Sequence, residues 1–271
     1  MMRKAFPVEF VYQVFALLLA VIVVHALYVT VVRPRAEAIL QENKALIVAD
    51  KDAELQRSIY VIIRDYEQEA CFILMFWAFA IMAYKGVAVI RERRLLEEDL
   101  IPLAQGSRVL PEDGRRLAQV LAALPPPTQS LLLPRAIRVA LHRLESTRNI
   151  QDVSTATRAL CSAEAERLDS ELSMIRYIAW AIPSIGFIGT VRGIGEALGL
   201  AHRAVEGDIT GVTESLGIAF NSTLTALLIS IVLMFVVHQL QLAQERLVQE
   251  TENYCDERLI RHMWTGELQA R

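Results

Sequence analysis

Several side chains able to hold a proton or an ion stand in sequence that is otherwise apolar. Residues 219–230 read AFNSTLTALLIS and carry Asn221, Ser222, Thr223, Thr225 and Ser230. Thr190 occupies a similar setting in residues 181–200, AIPSIGFIGTVRGIGEALGL. At helical spacing Thr223 and Ser230 share a face with Ala219 and Ala226, and Thr190 shares one with Pro183, Gly186, Gly193 and Ala197. Two chemistries fit. Each hydroxyl bonds its own i−4 carbonyl and fills a small-residue seam. Alternatively, the hydroxyls line a narrow polar path in which water or an ionisable group is solvated. A proton path through lipid normally uses a carboxylate or histidine. No Asp or Glu lies deep in this sequence, and the one deep titratable candidate, His25, reads as interfacial packing. An ion crossing here is therefore carried by a group from another chain.

Glycine is concentrated in the same region, with eight of the chain's twelve lying between Gly186 and Gly217. Small residues let membrane helices approach closely. Gly186, Gly189 and Gly193 therefore mark either a tight contact inside the chain or a surface for a helix of another subunit. The nearby charges read as an outer rim. Arg192 and Glu196 form an i,i+4 pair, and Glu214 is expected to cap the helix that follows, where negative charge suits the dipole.

These residues need four membrane helices to position them, since about 20 apolar residues cross a bilayer core. The first is Phe10–Val32, uncharged throughout and too long for a signal-peptide core. The second runs from about Ala70 to Ile90 and holds Lys85, expected to snorkel to the near interface. The third extends from residue 176 to about Leu200. The fourth lies in the stretch without Asp, Glu, Lys or Arg between Glu214 and Glu245. Thr190 lies ten residues from Leu200 and Thr223 nine from Glu214. At about 1.5 Å per residue the two hydroxyls fall at one level, near the bilayer midplane.

Residues 91–175 contain twelve Arg, which places them and both termini on the cytoplasmic side. The expected organisation is a terminus and first span (1–32), an outer helical segment (33–69), a second span (70–90), a cytoplasmic segment (91–175), a hairpin of spans three and four (176–240) and a cytoplasmic tail (241–271). Leu55, Ile59, Ile62 and Tyr66 recur on one helical face of the outer segment. Prolines at 102, 111, 125–127 and 134 mark helix boundaries in the cytoplasmic segment. The absence of Pro and Gly from Asp152 to Pro183 predicts one helix running into the third span. The fold class is an all-α membrane protein with four transmembrane helices and long cytoplasmic helical extensions.

The rest of the composition excludes other classes. A net charge of −3 gives no reason to expect nucleic acid. Cys71, Cys161 and Cys255 are isolated, without metal-ligand spacing, so neither disulfides nor a metal is expected. No GxSxG, HExxH or P-loop occurs, so an enzyme is not expected, nor a cofactor.

Two stretches carry a resemblance. IPSIGFIGTVRGIGEALG at 182–199 resembles the PxxGxxGTVxGI element of the MotA/TolQ/ExbB proton-channel family, and ESLGIAFNSTLTALLISIVLMF at 214–235 resembles that family's second pore helix. The resemblance implies a ring-forming pore subunit, a homo-pentamer around two helices of a single-span MotB/ExbD/TolR-like partner whose aspartate carries the ion. It maps the pore threonines to Thr190 and Thr223; counting from Glu214, Ala219 is the alternative to Thr223. Arg192 departs from the family, standing where relatives often carry an aromatic residue. The implied function is an inner-membrane motor or energy transducer driven by protons or sodium ions. The alternative is a non-conducting membrane scaffold with the same packing.

Overall fold

The computed structural model describes residues 8–49, 58–98, 100–101 and 108–264. Among them every regular element is helical, apart from an isolated bridge between Val109 and Met263. Four helical stretches are long and apolar enough to cross a membrane: Val8–Asn43, Tyr66–Leu96, Ile150–Gly199 and Thr210–His262. Leu55 and Pro102 lie outside the described residues. The chain divides into two compact units, residues 1–83 with 174–237 and residues 84–173 with 238–271.

The first, the membrane unit, begins with α1 (Val8–Leu27), a π-helical turn (Tyr28–Val32) and α2 (Arg33–Ala49). One narrow stripe of α1 and the π turn is buried, Ala16, Ala20, Val24, Tyr28 and Val32, while Phe10, Phe15 and Ile22 face outward. That pattern suits a helix whose remaining surface meets lipid. The short α3 (Ile59–Ile62) ends in a turn before α4 (Tyr66–Leu96). The outer helical face expected to run from Leu55 to Tyr66 is therefore interrupted at residues 63–65. Trp77 Nε1 donates to the Gln13 carbonyl at 2.9 Å and Tyr12 Oη to the Ala80 carbonyl at 3.1 Å, pinning α1 to α4.

The second, polar unit holds α5 (Gly114–Ala122), α6 (Pro126–Gln129), α7 (Leu132–Thr147), α8 (Ile150–Glu171) and the tail of the last helix. Leu133, Ile137, Ala140, Leu141 and Leu144 recur as one stripe of α7 and pack with Val153, Cys255 and Leu259 into its core. Pro134 sits in the first turn of α7, where its missing N–H removes no helical bond. The Glu92 carboxylate accepts the Leu132 N–H at 3.0 Å, a negative charge at the start of α7; burial raises its pKa. Burial also pushes the Cys161 and Cys255 thiols up to about 11 and 12, which leaves both protonated and unreactive.

One expectation fails in this unit. Lys85 does not snorkel: it is 5% exposed, and its Nζ pairs with Glu171 Oε2 at 2.8 Å. A buried ammonium with a carboxylate in reach is stabilised there without reaching water. The helix expected from Asp152 does run into the third span as one helical stretch, Ile150–Gly199; a single turn residue, Leu172, at φ −82° and ψ −6°, divides it into α8 and α9 (Ser173–Gly199).

Candidate ion pathway

The pathway residues lie on α9 and α11 (Thr210–Tyr254), joined through α10 (Ala201–Val205). Gly207 ends α10 at φ +94°, a left-handed conformation that glycine adopts without cost, and the Asp208 N–H returns to the Arg203 carbonyl at 2.9 Å. Asp208 Oδ1 then accepts the Thr210 N–H at 3.1 Å and caps α11; this bond holds the Asp208 pKa below its usual range. The cap is thus Asp208 and not Glu214. Glu214 lies a full turn inside the helix and pairs with Arg64 at 3.4 Å.

Helix α9 continues through Pro183 because lipid offers no other satisfaction for its backbone. Proline has no N–H for the Ala179 carbonyl one turn back. Ser230 of α11 supplies the missing donor, its Oγ reaching that carbonyl at 3.3 Å. Gly186, Gly189 and Gly193 are all buried against α11. A Cβ on Gly186 would lie 2.4 Å from the Ala226 Cβ; one on Gly193 would lie 2.7 Å from the Ser215 carbonyl oxygen and 2.8 Å from the Ala219 nitrogen. One on Gly189 would lie 2.5 Å from the Ser222 Cβ. This glycine face is therefore filled by the chain's own last span, and is not left open for another subunit.

That close approach brings the two threonines together. Thr190 Oγ1 and Thr223 Oγ1 are hydrogen-bonded to each other, both half-buried. Thr190 Oγ1 also lies 3.1 Å from the Ala219 carbonyl and 3.3 Å from that of Gly186, which Thr223 Oγ1 reaches at 3.2 Å. Each hydroxyl has one proton to donate and lone pairs to accept. Two protons thus serve two carbonyls and each other, and the donor arrangement can change by hydroxyl rotation alone. Ala219 takes part through its carbonyl, while its side chain is fully buried against Gly193.

Residues that sequence reasoning passed over stand beside this pair. Glu67, Gln68 and Glu69 are consecutive in the first turn of α4, so their side chains leave about 100° apart. Each meets a different helix. Glu67 forms a two-pronged bond with Arg192 of α9, at 2.7 and 2.9 Å, and Arg192 also holds Glu196 at 3.1 Å. The expected Arg192–Glu196 pair is thus one part of a bridge between spans. Gln68, fully buried, donates to Ser222 Oγ of α11 at 3.3 Å and to the Ile62 carbonyl at 3.0 Å; its Oε1 has no partner among the described residues. Glu69 accepts from His25 at 2.7 Å and also binds Arg33. His25 is thus a ligand of a buried carboxylate, not merely interfacial packing. The signal was three adjacent polar residues opening an apolar run. Among the described residues no cluster of His, Cys, Asp and Glu is arranged to hold a metal.

Residues 129–253 match the model of the MotA/TolQ/ExbB proton channel family. The match includes α7 and α8, all of α9 and nearly all of α11, and so contains both threonines and the glycine seam. No curated protein and no solved structure matches the chain. The matched family is of a channel type, and together with four helices long and apolar enough to cross a membrane the match makes this a multi-pass membrane protein.

Proposed function

We propose that the chain is the pore-ring subunit of a proton-driven inner-membrane motor or energy-transduction complex. The observation that carries this reading is the Thr190–Thr223 hydroxyl pair, held between α9 and α11 within the family segment. It can solvate a charge but holds none. No Asp or Glu stands in α9 before Glu196 or in α11 between Glu214 and Glu245. The ion-binding carboxylate then comes from a single-span MotB/ExbD/TolR-like partner, and five copies of this chain surround two such helices. Thr190 and Thr223 accept and donate to the partner's aspartate as it exchanges its proton. A sodium-driven version would use the same oxygens as ligands. Both termini and residues 91–175 face the cytoplasm, where the Arg-rich flanks belong. The rival reading is a non-conducting scaffold, favoured by the fact that the glycine seam is filled within one chain.

Proton flux into vesicles containing the chain and its partner separates the two. The channel reading expects flux in the wild type and its loss in Thr190→Val and Thr223→Val. Flux unchanged in both variants contradicts the assignment of the pair, and no flux in the wild type supports the scaffold.

A further inference from the structure

In the polar unit a cavity of about 300 Å³ lies between α8 and α11. Glu166 and Asp169, three apart on α8, share one helical face, and Gln244 and Glu245 face them from α11. Three carboxylates thus line the space, and no Lys or Arg does. Ala165 and Leu168 add apolar wall between them. Gln244 is 3% exposed, and its Oε1 accepts no hydrogen bond among the described residues. A buried amide oxygen is costly unless a donor reaches it.

These features select a cation that only donates and that carries an apolar stem. The carboxylates call for positive charge, the Gln244 oxygen for an N–H, and the Ala165 and Leu168 wall for methylenes. A bare metal ion fits poorly, since no cluster of His, Cys, Asp and Glu among the described residues is arranged to hold one. An arginine side chain supplies all three: a permanent charge, five N–H donors and an aliphatic stem. One arginine stands at the right height. Arg246 follows Glu245 on α11, a difference of about 1.5 Å along the helix. It is exposed and makes no hydrogen bond or ion pair with any described residue. At about 100° per residue it lies on nearly the opposite side of α11 from Gln244 and Gln241, and so faces away from its own chain's cavity.

We propose that this acidic cavity receives Arg246 from a second copy of the chain. A ring repeats one head-to-tail contact, which needs two different surfaces on each copy. The cavity and Arg246 are two such surfaces on nearly opposite sides of one helix. Rotation about an axis along the membrane normal keeps every residue at its height, so Arg246 of one copy arrives level with the cavity of the next. Its guanidinium meets the carboxylates and donates to Gln244 Oε1, while its stem lies along Leu168. This rests on the ring in the reading given above, and not on conduction. It names the contact that joins neighbouring polar units.

The test co-expresses two differently tagged full-length chains, one with Glu166→Cys and the other with Arg246→Cys. The native Cys71, Cys161 and Cys255 are all buried and give little background. A bifunctional thiol cross-linker as long as an arginine side chain should join the two into a dimer carrying both tags. Arg143→Cys in place of Arg246→Cys should give no such dimer. Arg143 lies eight residues along α7 from Arg135, which pairs with Glu164, and so stands about 12 Å from the cavity's height. The assembled Arg246→Glu ring should dissociate about tenfold faster than wild type on dilution in detergent. An assembled ring without the doubly tagged dimer, or with unchanged dissociation in Arg246→Glu, overturns this proposal alone. A wild-type chain that runs as a monomer overturns it together with the ring. A dimer that vanishes when the single-span partner is co-expressed overturns it too, because the cavity is then the partner's.

Discussion

The α9–α11 seam and the core around α7 are both contacts between helices, yet opposite side chains make them. The α7 core is mostly Leu, Ile and Val, with Ile137 and Leu144 fully buried. The seam is Gly, Ala, Ser and Thr, with Gly186 and Gly193 so close to α11 that even a methyl group has no room. In water, burying large apolar groups drives association. In lipid it gains little, because the surroundings are equally apolar, and close backbone contact with hydrogen bonds across the helices takes over. One region is weakened by removing atoms and the other by adding them. The seam's hydroxyls and carbonyls are thereby joined in hydrogen bonds across the two helices.

The sharpest way to break this comparison is to shorten a side chain in the polar core. Leu144→Ala removes a fully buried side chain and should lower stability by about 2–5 kcal/mol. It is measured by thermal unfolding in detergent, and a shift no larger than that of a surface substitution would contradict the contrast.

A second effect is electrostatic and confined to the polar unit. Burial raises the pKa of Glu164, but hydrogen bonds from Arg167 at 2.5 Å and Arg135 at 3.2 Å outweigh it, so the carboxyl titrates below its usual 4.5. A carboxylate depressed in this way contributes stability above its unfolded pKa and loses it as the pH falls through the folded value. Glu164→Gln should therefore cost about 1.5–3 kcal/mol at neutral pH. The difference from wild type should shrink as the pH drops below 4.5. Unfolding curves across that range check it.

Adding one carbon to the seam comes next. Gly193→Ala places a Cβ against the backbone of α11 and should cost about 1–3 kcal/mol, read as loss of assembled complex and of flux. Gly195→Ala and Gly199→Ala, two and six residues away with nothing within 4 Å, should fall within about 0.5 kcal/mol of wild type. Equal effects at all three positions would remove the distinction between a filled seam and an open face.

The sequence makes the two regions unequally legible. Long uncharged runs identify the spans, and helical periodicity with depth counting sets Thr190 and Thr223 at one level. Both arguments need only one helix at a time. What escapes are contacts that need the neighbours' identity. Glu67, Gln68 and Glu69 look like a polar flank until three different helices surround them. Lys85 and Glu171 are 86 residues apart, and nothing local pairs them. The glycine face could equally have met another subunit, because small residues encode proximity without naming a partner.

The central claim is that the Thr190 hydroxyl, and not merely its shape, serves the moving proton. Proton flux in Thr190→Ser and Thr190→Val, each assembled with the partner, tests it most directly. Serine keeps the hydroxyl and should retain most of the flux. Valine keeps the shape and loses one hydrogen bond at the transferring proton, so its flux should fall about tenfold. Equal flux in the two variants would contradict the account.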